Sequence, residues 1–105
     1  MNTDELVKAF YNEKHNLLKE YLSENSETEI RQLIKSLNLT NKQNEIMGKI
    51  LDTSLTGTFY TVLLDLNGSA SIGGKQELYN LKDQKGNQLS GEIEGIAYEY
   101  FHENK

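Results

Sequence analysis

Histidine titrates nearest neutrality of all side chains, and the chain carries two, His15 and His102. On a helix, Tyr98 and His102 would stand four residues apart with Glu99 adjoining, a spacing at which a proton can pass between them. A catalytic dyad needs shielding from water, however, and the flanking residues here are acidic and polar. Glu94, Tyr98, Glu99, His102 and Glu103 are therefore expected to form a partner-binding surface. Tyrosine supplies rigid contact area, and the carboxylates steer a basic partner. A plainer reading stays open beside it: Tyr100 in the core, Tyr98 alone outside, and the acids serving solubility.

Asp65, Asn67, Ser69 and Ser71 make a second group, in the run Asp65-Leu66-Asn67-Gly68-Ser69-Ala70-Ser71. Oxygen-bearing side chains alternate there as at the start of a calcium loop. The pattern then fails, because the sixth position is Ala70 and the twelfth is Gln76, with Glu77 one residue late. Gly73-Gly74-Lys75 invites a phosphate-loop reading, but Ser69 stands where an earlier glycine is required and Gln76 where a serine or threonine is. No serine has an elbow motif, and without cysteine there is neither a thiolate nucleophile nor a thiolate metal site. No catalytic residue, metal site or cofactor is expected, and the balance of these features is against an enzyme. The loop is kept as the candidate for a small-ligand pocket.

Sixteen acidic residues oppose eleven basic ones, for a net charge of -5. Nucleic acid would be repelled by that balance, and the lysines are too scattered to make a basic stripe. Ser90 to Lys105 is the most acidic stretch, with Glu92, Glu94, Glu99 and Glu103 against Lys105 alone. The opening residues Met1-Asn2-Thr3-Asp4-Glu5 are acidic where a signal peptide is basic, and no window nears the ~18 apolar residues of a membrane span. A cytoplasmic protein of bacterial type is expected, folded as a single domain over residues 1–105.

The elements that must position these groups follow from apolar spacing and start signals. Asn2 or Thr3 caps a first helix over about 3–22, with Asp4 and Glu5 in its first turn; the polar run Glu13-Lys14-His15-Asn16 interrupts its stripe. Ser26-Glu27-Thr28-Glu29 matches a capping box, and Ile30, Leu33, Ile34 and Leu37 follow at helical spacing up to Asn38. Thr40 with Gln43 repeats the box before Met47, Ile50, Leu51, Leu55, Phe59, Val62, Leu63 and Leu66, which step by three or four. Thr58 to Leu64 would also suit a strand, yet the helical phase never slips and Asn67-Gly68 fits a left-handed helix stop. This is expected to be the central and most buried helix, because only Asp52 and Asp65 are charged between Leu51 and Gly74.

Residues 69–74 are small and flexible, 77–83 look extended, 84–87 a turn, and 88–90 a returning strand. The last segment reads as a helix burying Ile93, Ile96, Ala97, Tyr100 and Phe101, or as a strand in which Ile96, Tyr98, Tyr100 and His102 alternate with acids. The expected fold class is α+β, predominantly helical: three to four helices packed around a long central helix (about 41–66) with a small β-hairpin (about 77–90). The expected function is a non-enzymatic interaction module, inhibitor- or immunity-like, binding a basic protein. The alternative is a small-ligand-binding protein or minor enzyme with a pocket near residues 65–75. A homodimer through the long helix, hiding Tyr60 or Leu64, is a further expectation.

Overall fold

The computed structural model describes residues 1–103, and its regular structure is helical. In chain order it consists of α1 (Thr3–Leu22), α2 (Glu29–Ser36), α3 (Asn41–Leu66) and α4 (Ile93–Tyr98), which runs on into a π-helical turn, Glu99–Glu103. No described helix is long and apolar enough to cross a membrane.

Local chemistry accounts for the helix ends. The Asn2 side chain accepts from the Glu5 amide while the Glu5 carboxylate accepts from the Asn2 amide, which closes a capping box on α1. Thr40 and Gln43 do the same for α3. The cap of α2 differs from expectation. Ser26 turns its hydroxyl onto the Thr28 amide, so Thr28 becomes the cap and accepts from the Arg31 amide, and Glu29 is the first helical residue. Asn38 ends α2 in the left-handed region at φ 52°. Gly68, at φ 80°, ends α3 in a Schellman arrangement, its amide on the Asp65 carbonyl and the Ser69 amide on that of Leu64.

The core lies where α1, α3, α4 and the π turn meet. Val7, Leu63, Ile93, Ala97 and Phe101 are fully enclosed there, with Leu6, Phe10, Tyr11, Phe59 and Leu66 around them. The opposite end of the molecule, from α2 to the first half of α3, has Ile34 as its one buried apolar side chain among the described residues. The central helix is therefore not enclosed as expected. It buries Thr56, Leu63 and Asp65, while Ile46 and Ile50 are about half exposed, at 46% and 52%.

Sequence patterning also misplaced Lys14, which belongs to the core rather than to a polar break. Its ammonium group is fully buried, 3.1 Å from the Asp52 carboxylate and 3.2 Å from the Thr56 hydroxyl. The Tyr11 and Phe101 rings lie 5.4 and 5.8 Å away, within the range of cation–π attraction. Lys14 is in phase with Val7, Tyr11, Leu18 and Tyr21 on the inner face of α1, which was the available signal.

No β-hairpin forms over 77–90, and with it the α+β class falls: the described residues contain two isolated antiparallel bridges, Ile72 with Lys75 and Lys82 with Gln88, and no strand. The reason is that the segment lacks an apolar face to bury. Leu78 is 88% exposed, and Leu81 and Leu89 alone turn toward the helices. Side chains replace a ladder. The Ser90 hydroxyl accepts from the Leu81 amide and donates to the Tyr79 carbonyl, and Asp83 accepts from the Lys85 and Asn87 amides. Gly73 and Gly74 both take positive φ, as a tight two-residue turn between Ile72 and Lys75 requires.

The C-terminal segment is helical, with Ile93, Ala97 and Phe101 buried and Ile96 and Tyr100 half-buried, so the strand alternative is excluded. Ser90 does not cap α4. Its N-cap residue, Glu92, makes no side-chain cap bond, and Asn67 serves instead: the amide oxygen accepts from Gly91 N at 2.8 Å and Ile93 N at 3.0 Å.

Two stability predictions follow from these contacts. Asp52→Ala strands a buried ammonium and should cost about 2 kcal/mol, below the full cost of breaking a buried pair because Asp52 is half exposed. Lys14→Met in the Asp52→Ala background should recover most of that loss, as read from urea midpoints. Asn67→Ala should cost about 1–2 kcal/mol by freeing two amides, with the loss concentrated in hydrogen-exchange protection of α4.

Candidate functional site

The helical phase of α4 turns Glu94 and Tyr98 to the outside, one turn apart, and the π turn carries His102 onto the same side. A π turn closes i to i+5 bonds, which widens the helix locally, and such turns are frequent at functional sites. Here it lets Phe101 stay fully buried while His102 stacks outward against Tyr98, the ring centres 5.2 Å apart. Tyr60 of α3 meets His102 from the other side, edge to face at 4.4 Å. The imidazole thus lies between two phenol rings. Burial, then the charge of Glu94, then Tyr98 hold the Tyr60 phenol above the usual tyrosine range.

Of the five residues expected in this region, the structure gathers Glu94, Tyr98 and His102 and adds Tyr60, which sequence reading had placed as a residue to be hidden in a dimer. Glu99 falls on another side, where its charge, after burial and Asp4, helps to raise the Tyr100 phenol. Tyr100 donates to the Asp4 carboxylate at 3.4 Å and belongs to the α1 contact. Glu103 is exposed at the end of the π turn, and Lys105 lies outside the described residues. His15 stacks on Tyr11 within α1, far in the chain from His102 and in a separate ring contact. The signal for Tyr60 was available only in part: it is one of the few aromatic residues of α3 off the buried Phe59–Leu63 row.

The loop candidates separate. Asn67 is consumed as the cap of α4, and its amide nitrogen donates to Ser69. Asp65 is buried at the C-terminal end of α3, and the Tyr79 hydroxyl faces it. The charge of Asp65 is the chief cause holding the Tyr79 phenol above its ordinary value. Ser71 lines an open groove of about 600 Å³ between α3 and the 71–73 turn, with Thr53, Ser54, Gly57, Thr58 and Val62. No ionisable side chain lines that groove, so it offers hydroxyls and methyl groups but no acid or base. Among the described residues no three His, Asp or Glu side chains converge as a metal site.

The cluster of half-buried Tyr60 with exposed Glu94, Tyr98 and His102 has the chemistry to receive a cation: ring faces, a carboxylate and phenol hydroxyls. Because the Tyr60, Tyr79 and Tyr100 phenols lie above the ordinary tyrosine value of 10.0, the unfolded chain loses those protons first. Their stabilising share is complete below that value and is lost as pH rises through the folded-state values. Glu94→Gln should lower the pH at which Tyr60 titrates, followed by the NMR shifts of its ring, and leave Tyr100 unmoved. Compared with known proteins, the chain matches no family model, no curated protein and no solved structure.

Proposed function

We propose that the chain is a non-enzymatic interaction module that binds a basic protein through the surface made by Tyr60, Glu94, Tyr98 and His102. The observation that carries this reading is the Tyr60–His102–Tyr98 ring cluster, exposed at Tyr98 and His102, with the Glu94 charge close enough to act on Tyr60. A lysine or arginine of the partner finds there both aromatic faces and a carboxylate. Glu99 and Glu103 widen the acidic field and speed the encounter rather than fill the contact. The net charge of -5 favours a basic protein over nucleic acid, and the absence of cysteine suits the reducing cytoplasm of a bacterial cell. An inhibitor or immunity-like role is the specific form of this reading, with the acids and tyrosines covering a basic active site.

The test is affinity capture from native extract at low and high salt, followed by titration of the identified protein against variants. A stoichiometric basic partner should be retained at low salt and released at high salt. Tyr98→Ala and Glu94→Lys should each weaken it by roughly tenfold or more, and Glu103→Lys should act mainly on the association rate. No partner under either condition, or a partner indifferent to Tyr98 and Glu94, overturns the proposal.

A further inference from the structure

The outward face of α3 has no partner within the chain. Ile46, Ile50, Thr53, Gly57 and Thr61 follow one another at helical spacing along it, all exposed, and Ile72 of the neighbouring turn is exposed at its edge. No charge interrupts the face from Ile50 to Leu64, because Asp52, the one charged residue in that span, turns inward to Lys14. A solvent face of a helix ordinarily carries charged residues, whereas the centre of a protein interface is depleted of them.

The exposed area points the same way. The chain exposes 7091 Å², where a compact monomer of 12.0 kDa exposes about 6,000 Å². Its radius of gyration is 16.2 Å, against about 13 Å for a compact domain of this length. The surplus of roughly 1,100 Å² exceeds the ~800 Å² that each partner contributes to an interface of standard size. Gly57 adds an independent mark. It sits in the middle of a 26-residue helix, where glycine weakens the helix relative to alanine, and a Cβ built there meets nothing within 4 Å. Nothing inside the chain requires a glycine at that position, and its bare backbone leaves room for a close approach from outside.

We infer that this face is the self-association surface of the protein, occupied by α3 of a second copy running antiparallel and crossing near Gly57. A two-fold contact presents one patch to itself. About Gly57, Thr53 of one copy falls opposite Thr61 of the other, and Ile50 opposite Leu64. Uncharged small side chains then meet at the centre, with aliphatic side chains on either side. Lys49 is the one charged residue lining the face, at its end beside Ile46 and Ile50, and a second copy is the occupant because the exposed surplus is of the size that a two-fold contact buries on each copy.

Sedimentation equilibrium of the full chain tests this at about 0.5 mM, above the micromolar upper end for an interface of standard size. The expected result is twice the 12.0 kDa mass of one chain. Ile50→Lys and Thr61→Lys should each raise the dissociation constant roughly tenfold or more, while Leu78→Lys, exposed elsewhere, should not. Because the chain has no native cysteine, Gly57→Cys should yield a disulfide-linked dimer on mild oxidation. A monomer at that concentration overturns the inference. So does a dimer that Ile50→Lys and Thr61→Lys leave intact while circular dichroism shows both variants folded.

Discussion

Burying an ammonium group commits a small protein to a particular geometry, since an ion taken from water without compensation costs several kcal/mol. Lys14 is compensated only where α1 and α3 stand in one register, which brings Asp52 and Thr56 to its tip. The same placement sets its charge near the faces of Tyr11 and Phe101, and so ties the π turn to the helix pair. Sliding α3 by one residue would remove both oxygens at once. The remaining core contacts of Val7, Leu63 and Phe101 are apolar and tolerant of small shifts, so Lys14 is the contact that specifies alignment.

From that helix pair outward, order is delivered by single side chains rather than by extended ladders. Asn67 ends one helix region and starts another, holding the Gly91 and Ile93 amides from 24 and 26 residues away. Ser90 binds backbone at Tyr79 and Leu81, and Asp83 closes its own turn and accepts from the Met1 amino group at 2.9 Å. The hydrogen bonds of the neighbouring amide and of that amino group hold the Asp83 carboxyl well below the usual carboxylate range. These polar pins carry the connection over residues 67–92 across the surface without a sheet. Gly68 is held to glycine by its positive φ, whereas the Leu78 methyl group, 2.5 Å from where a Cβ would stand, ends an exposed side chain that can move aside.

The two surfaces read as interaction sites differ in the physics each can use. The Tyr60, Glu94, Tyr98 and His102 surface is ionic and aromatic, so the association proposed there would be steered by charge and weakened by salt. The outer face of α3 carries no charge from Thr53 to Leu64, with Lys49 at its end, and the contact proposed there would be driven by area and close packing. Both depend on the same helix: Lys14 draws Asp52 inward, and the phase this imposes leaves Ile46, Ile50 and Gly57 outside.

Helix identity was legible from local chemistry, because capping groups and apolar spacing act within a few residues. Asn2, one of the two caps expected for α1, Thr40 with Gln43, and Gly68 all operate at the ends expected of them. Glu94, Tyr98 and His102 could be grouped from helical spacing alone. Apart from the α2 cap, decided between Ser26 and Thr28 two residues apart, the errors share one cause, which is that the deciding partner lay far away in the chain. A lysine in an apolar stripe reads as a break until Asp52, 38 positions on, is brought to it. An extended segment reads as a hairpin until burial shows that Leu78 has nothing to cover it. Tyr60 joins His102, and Asn67 caps α4, only through packing between elements, and so does the exposure of one side of α3. Spacing along the chain determined which residues share a helix face; tertiary packing decided which face is covered, because burial is a property of the neighbours and not of the sequence interval.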